Sequence, residues 1–264
     1  MPELIAFEPL FYAVAIPAVI LTGISKSGLG GGLGQLSVPL MASFISPVAA
    51  AAIMMPILVF IDLLNIWGYR RDWHRGNLAV LLPGAVTGVA IGGLTYRHVD
   101  ENTVRIILGL IVIIFALSYF TQRKIADGSA KRGLALGFLC GGLSGFTSFV
   151  AHAGGGPMKF YLLPQRLASR IFVGTHVMFF FLVNQMKLLS YFWLGQFTME
   201  NLSASLVLAP FVPIGVLLGW RLVKIVPQDL FYKIVYVLLF ISGSKLIWDG
   251  LSPMILCRLM DTAT

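Results

Sequence analysis

Charge is the scarcest commodity in this chain. Only 11% of its 264 residues are Asp, Glu, Lys or Arg, while 58% are hydrophobic and the mean hydropathy is +0.88. A soluble domain of this length covers its surface with charge, and too little is present here to do so. Cysteine is nearly absent as well. Cys140 and Cys257 lie far apart, both in or beside apolar segments, which fits neither a disulfide framework nor a metal pair and reads as packing. HExxH, CxxC and GxSxG are all missing, so the motif-borne routes to a membrane-embedded hydrolase or metalloenzyme have no foothold. The N-terminus carries Glu3 and Glu8 where a secretory signal would be basic, and no small-residue cleavage site follows its apolar part, so the segment is expected to stay attached.

What is present is a succession of long apolar runs, near residues 8–25, 49–68, 77–96, 103–121, 133–151, 171–192, 201–220 and 231–250. Each is long enough to cross about 30 Å of hydrocarbon at 1.5 Å per residue. Strands of a membrane barrel would alternate over about ten residues, and these runs are continuous. The expectation is an all-α integral membrane protein with about eight full transmembrane helices. Two shorter apolar pieces, 33–45 and 157–165, each follow a Gly-rich break and are too short to cross as ordinary helices.

Basic residues set the orientation. Arg70, Arg71 and Arg75, then Arg123, Lys124, Lys131 and Arg132, then Arg166 and Arg170, and finally Arg221, Lys224 and Lys233 mark loops expected on the cytoplasmic side. The N-terminal segment and the loop ending in Glu200 and Asn201 are then outside, and both termini are expected in the periplasm. The net charge of +8 and the pI near 9.7 come from these loops, so nucleic-acid binding does not follow from them. All assignments hold together only if each short piece, with its Gly-rich stretch, carries the chain across. Each half then has five crossings, and an odd number inverts the second copy relative to the first.

The copy is visible. Pro83, Gly88 and Gly92 repeat as Pro210, Gly215 and Gly219, with Asn77 and Asn201 ahead of them. GLGGGLGQLSVP, ending at Pro39, pairs with HAGGGPMKFYLLP, ending at Pro164. The chain therefore divides into a first repeat, 1–121, a hydrophilic linker, 122–132, and a second repeat, 133–264. Inverted repeats with broken helices at matching places predict a transporter with its site at the repeat interface near the midplane. The GxxxG spacings in the third and seventh spans read as helix-packing surfaces.

At such a break glycine lets the backbone unwind and approach a substrate, and a helix starting after it points unpaired N–H groups into the cavity. That chemistry suits an anion. Candidate contacts in the first break are Ser25, Lys26, Ser27, Gly28, Gly30, Gly31, Gly32 and Gln35. In the second they are Thr147, Ser148, His152, Gly154, Gly155, Gly156 and Lys159. Close packing and snorkelling of the lysines are the plain alternatives. Asp62 and Asn65 share a helix face, Asn184 and Lys187 repeat that spacing in the matching span, and with His176 they are candidates for gating or coupling. Pairing of Asp62 with a buried cation is the competing reading, and structural satisfaction is the one for His176. Lys245 and Asp249 read as a surface pair.

GISKSGLGGGLGQLSVPL and GGLSGFTSFVAHAGGGPMKFYLLP together resemble the paired signatures of the TauE/SafE family of sulfite and organosulfur-anion exporters, over about residues 10 to 250. The second motif departs from a plain Gly-x-Gly-Gly-Gly at Ala153 and by Pro157 directly after Gly156. The resemblance implies a bacterial inner-membrane permease, not an enzyme, whose partners are the lipid bilayer and a small sulfur oxyanion or organosulfonate such as sulfoacetate. No cofactor or metal is implied, and a homodimer stays open. The competing classes are a transition-metal cation permease, which would need clustered Asp, Glu, His or Cys within the spans, and a membrane-embedded enzyme.

Overall fold

The computed structural model describes residues 8–31, 37–41, 44–45, 47–95, 102, 106, 109–110, 113, 117, 133–151, 154–193 and 197–261. Among them the regular structure is entirely helical. The helices are α1 (Pro9–Gly28), α2 (Ser37–Met41), α3 (Pro47–Tyr69), α4 (Arg75–Thr95), α5 (Leu134–Ala151), α6 (Gly155–Leu162), α7 (Ser169–Trp193), α8 (Met199–Leu208), α9 (Val212–Ile225) and α10 (Gln228–Asp261).

Five stretches within the described residues are long and apolar enough to cross a membrane: Pro9–Gly28, Ala49–Tyr69, Arg75–Thr95, Ser169–Trp193 and Met199–Ile225. They fall on five of the eight expected runs. The run 133–151 appears as α5, with a shorter apolar stretch at Leu134–Phe149. The run 231–250 lies inside α10, which continues to Asp261. Most of 103–121 and all of the linker 122–132 lie outside the described residues. The helical positions 106 and 109 sit against α10, where a Cβ on Gly109 would stand 2.7 Å from the Gly243 carbonyl oxygen.

Polarity is arranged inside out. Leu94, Trp193, Met199 and Ile225 point outward, while Lys26, Asp62, Asn65, His176, Asn184 and Lys187 are buried. Lipid on the outside and a polar seam within account for both halves of that observation.

Element ends have local causes. Pro9 occupies the first turn of α1, where its missing N–H costs nothing. Before α4, His74 Nδ1 accepts from the Asn77 N–H at 3.1 Å, and Asn77 Nδ2 donates to Gln165 Oε1 at 2.8 Å. At α8 the Thr198 hydroxyl caps the Asn201 N–H at 3.1 Å. The two asparagines that precede the Pro and Gly pattern thus sit at helix starts.

Small residues decide which helices meet. α4 lies on α5, where a Cβ on Gly84 would stand 2.8 Å from Gly142 N and one on Gly88 2.8 Å from Phe146 N. α9 lies on α1 in the same manner, with Gly23 against Gly215 and Gly28 against Gly219. The glycine-bearing helices α4 and α9 therefore pack on α5 and α1, each far away along the chain. α3 and α7 close the centre between these two pairs.

Candidate functional site

The first break follows α1. The N–H groups of Leu29 and Gly31 both donate to the Ser25 carbonyl, at 3.0 and 2.7 Å, which ends the helix. Gly30 and Gly31 then take φ of +63° and +76°, a left-handed turn that side chains resist. There is also no room for one: a Cβ on Gly30 would meet the Phe172 ring at 2.7 Å, and one on Gly31 would meet His176 Cε1 and Nε2 at 2.6 Å. The second break lies between α5 and α6. A Cβ on Gly154 would stand 2.5 Å from the Ser144 carbonyl oxygen, and α6 begins directly after it. Pro157 is accommodated near the start of this helix. α6 with the 3-10 turn Leu163–Gln165 rises about 18 Å, short of the roughly 30 Å of a hydrocarbon core.

The two breaks converge on one cavity, whose space together with its opening is about 530 Å³. Gly31 comes from the first break, and Ser148, Gly154 and Gly155 from the second. Lys26 of α1 and His176, Asn184 and Lys187 of α7 supply the polar walls. The apolar wall is Val38, Met54, Leu58 and Phe180.

Asp62 anchors the polar side from behind. Lys26 Nζ donates to Asp62 Oδ1 at 2.5 Å and Asn184 Nδ2 donates to Asp62 Oδ2 at 2.6 Å, all three residues being buried. Asp62 and Asn184 each lead an i, i+3 polar pair in their own helix, and here they touch. The pairing of Asp62 with a cation is therefore present, and the cation is Lys26 itself. Asn65 goes elsewhere: its Oδ1 accepts from Trp220 Nε1 at 2.9 Å. Lys187 Nζ lies 5.9 Å from the Tyr191 ring centroid. His176 packs on Phe180 with ring centroids 4.6 Å apart, and its Nδ1 is buried without a hydrogen-bond partner.

The buried, described lysines Lys26, Lys159 and Lys187 outnumber the one buried aspartate, Asp62, and Lys26 and Lys187 both line the cavity. Buried ammonium groups are expensive in a membrane, and an anion in this cavity would offset the charge of the two lysines that line it. Among the described residues no group of three or more His, Cys, Asp or Glu is placed to hold a metal ion.

Several predicted contacts are not cavity-lining. Thr147 donates its hydroxyl to the Leu143 carbonyl at 2.6 Å, and Lys159 is buried in α6 away from the lining. Ser25, Ser27, Gly28, Gly30 and Gly156 shape the breaks without lining the cavity; Gly28 instead seats α9. Gly32, Gln35 and His152 lie outside the described residues. Thr22, Ser37, Met54 and Leu58 line it without having been singled out. Thr22 stands one turn before Lys26, and Met54 and Leu58 are one turn apart, so helical periodicity from Lys26 and Asp62 is the signal that points to them. Lys245 and Asp249 form the expected pair at 2.6 Å.

A bundle of apolar helices around a lysine-lined cavity between two broken helices is the build of a multi-pass membrane transporter. The family description "Sulfite exporter TauE/SafE" matches residues 15–246, most of the chain, and the protein belongs to that family. No curated protein and no solved structure matches it.

Proposed function

We propose that the protein is a permease that exports small sulfur-containing anions, sulfite or an organosulfonate such as sulfoacetate, through the cavity between the two breaks. The carrying observation is the convergence of Gly31, Ser148, Gly154 and Gly155 with Lys26 and Lys187 on one cavity, in a seam where buried lysines outnumber the buried aspartate. A sulfur oxyanion presents several acceptor oxygens, and hydrogen bonds from ammonium groups to such acceptors belong to the strong class. The apolar wall of Met54, Leu58 and Phe180 leaves space for the carbon skeleton of a sulfonate.

Lys26 is the switching group in this reading. With the cavity empty its charge rests on Asp62; an arriving anion takes up part of that interaction, and Asn184 keeps hold of the carboxylate. Asp62 thus stores Lys26 in position and competes with the substrate for it.

The chain is read as two inverted repeats, 1–121 and 133–264, joined by the linker 122–132. The contact between Asp62 and Asn184 and the reciprocal packing of α4 on α5 and α9 on α1 support that reading. Rocking of one repeat against the other about the cavity would expose it alternately to each side. The basic loops face the cytoplasm of a bacterial inner membrane. An interior-negative potential then drives an anion outward by about 2.3 kcal/mol per charge per 100 mV, and export needs no obligatory counter-ion.

The test is flux in proteoliposomes: radiolabelled sulfite efflux under an imposed potential, with sulfate, thiosulfate, sulfoacetate and nickel as competitors. Potential-dependent efflux blocked by sulfur oxyanions is expected. Efflux that ignores the potential and follows a pH gradient would sink the uniport mechanism, and competition by nickel alone would sink the anion assignment.

A further inference from the structure

A second cavity, separate from the transport site, opens at the end of the bundle where α3 turns into α4. Its empty volume is about 740 Å³, and its walls combine Arg70, Arg71, Arg170 and Lys224 with Trp67 and Trp220. Asp72 is the single carboxylate among the lining residues, so four cations face one anion. Arg170 is held in place. Its Nε donates to Asp72 Oδ2 at 2.7 Å, its Nη2 donates to the Gly68 carbonyl at 3.1 Å, and its guanidinium lies 5.5 Å from the Tyr69 ring centroid. Three of its five N–H bonds remain for a ligand. Arg70, Arg71 and Lys224 are exposed, and none forms an ion pair among the described residues.

The aromatic wall says what kind of anion fits. The Trp220 ring covers Gly68, where a Cβ would stand 2.5 Å from Cζ2, and Trp67 sits 6.2 Å from it, centroid to centroid. Trp67 is 70% exposed, and Leu63, one turn nearer the membrane centre, is 54% exposed. Lys224 stands one turn beyond Trp220 on α9, and Leu217 is exposed on the same helix deeper in the span. An apolar surface therefore descends from a cationic pocket rimmed by tryptophan, at the level where indole rings prefer the headgroup region. A free oxyanion would use the cations and have no use for that descending surface. A phospholipid uses both.

We infer that this pocket binds the phosphate headgroup of an anionic phospholipid, with an acyl chain lying along Leu63 and Trp67. Basic pockets between transmembrane helices serve this purpose generally. Tyr69, which lines the pocket, donates its hydroxyl to the Ser27 carbonyl in the last turn of α1, so an occupied headgroup site braces the helix end that carries Lys26 and the first break. The inference requires only that the protein sits in a bilayer and is independent of what the central cavity carries.

The test uses the full chain in detergent micelles. Thermal unfolding is measured with added phosphatidylglycerol, phosphatidylcholine or inorganic phosphate, alongside native mass spectrometry of retained lipid, for wild type and for Arg71→Gln/Lys224→Gln. Both positions are exposed and unpaired, so the fold is expected to survive. Phosphatidylglycerol should raise the melting temperature of wild type above the phosphatidylcholine value, with phosphate alone giving no such rise. The double variant should bind phosphatidylglycerol about thirtyfold more weakly, and Lys224→Gln alone about fivefold, as expected for roughly one factor of five per basic residue. Equal effects of the two lipids, or full retention by the double variant, would overturn the inference. A rise with phosphate as large as that with phosphatidylglycerol would overturn the lipid assignment in favour of a soluble oxyanion site. Should the double variant not fold, Lys224→Gln and the wild-type lipid comparison decide the matter by the same criteria.

Discussion

Asp62→Asn is the substitution from which most can be learned. In the native protein the carboxylate accepts from Lys26 Nζ at 2.5 Å and Asn184 Nδ2 at 2.6 Å, with Asp62 fully buried and the Lys26 side chain 8% exposed. Asparagine keeps the shape and removes the charge, which leaves the Lys26 ammonium buried without its counter-ion. Breaking a buried pair from one side costs about 3–5 kcal/mol, because an uncompensated charge remains. Lys26→Met strands the opposite charge and should cost a similar amount. The double variant strands neither, and an amide at position 62 can still bond Asn184. Its loss should fall well below the sum of the singles, with a coupling of about 3 kcal/mol or more. The assay is reversible unfolding in mixed detergent micelles for all four proteins. Single losses that add within about 0.5 kcal/mol would refute the claim that the two charges sustain each other. Adding sulfite extends the test. Ligand at a hundredfold excess over its Kd stabilises by about 2.7 kcal/mol, and with its competitor removed Lys26 should hold sulfite more tightly in Asp62→Asn than in wild type.

Other outcomes follow from the same geometry. Gly31→Ala should destabilise by at least about 1–2 kcal/mol and abolish transport, since φ of +76° and the His176 ring 2.6 Å from the new Cβ both oppose it; unfolding midpoints and flux check this. Gly28→Leu should fail to assemble the α1–α9 contact, where even a Cβ would stand 2.5 Å from the Gly219 carbonyl oxygen, and expression with detergent-resistant folding reads that out. Thr147→Val and Ser148→Ala form a contrast: the first loses a hydroxyl already bonded to Leu143 and should leave sulfite affinity unchanged, whereas the second strips a cavity wall and should weaken it several-fold in a binding titration.

Hydropathy was enough to read helices through a membrane, because every span must satisfy its own backbone and stay apolar along its length. The runs containing α1, α3, α4 and α7 are legible for that reason. The breaks were legible too: glycine clusters inside apolar runs have few uses, and Gly30 and Gly31 take the one conformation that requires them. The partners of the site residues were hidden. Lys26 lies 36 residues from Asp62 and Asn184 lies 122 residues from it, and no local spacing links side chains at such separations. The sequence offers Lys26 as a candidate anion contact and Asp62 as a candidate partner of some buried cation, and only the fold joins the two. Thr147 shows another hidden partner, because a hydroxyl in a membrane helix often bonds its own i−4 carbonyl, here that of Leu143. The inversion of the repeats depends on how the short Gly-flanked segments travel, and hydropathy carries no information about that path.

Saturable binding of radiolabelled sulfite to the purified protein, measured side by side for wild type and Lys187→Gln, tests the anion cavity most directly. Lys187 is buried and lines the cavity, so wild type should bind sulfite with sulfonates competing, and the folded variant should lose at least tenfold in affinity. No saturable oxyanion binding by folded wild type, or undiminished binding by the variant, would contradict it.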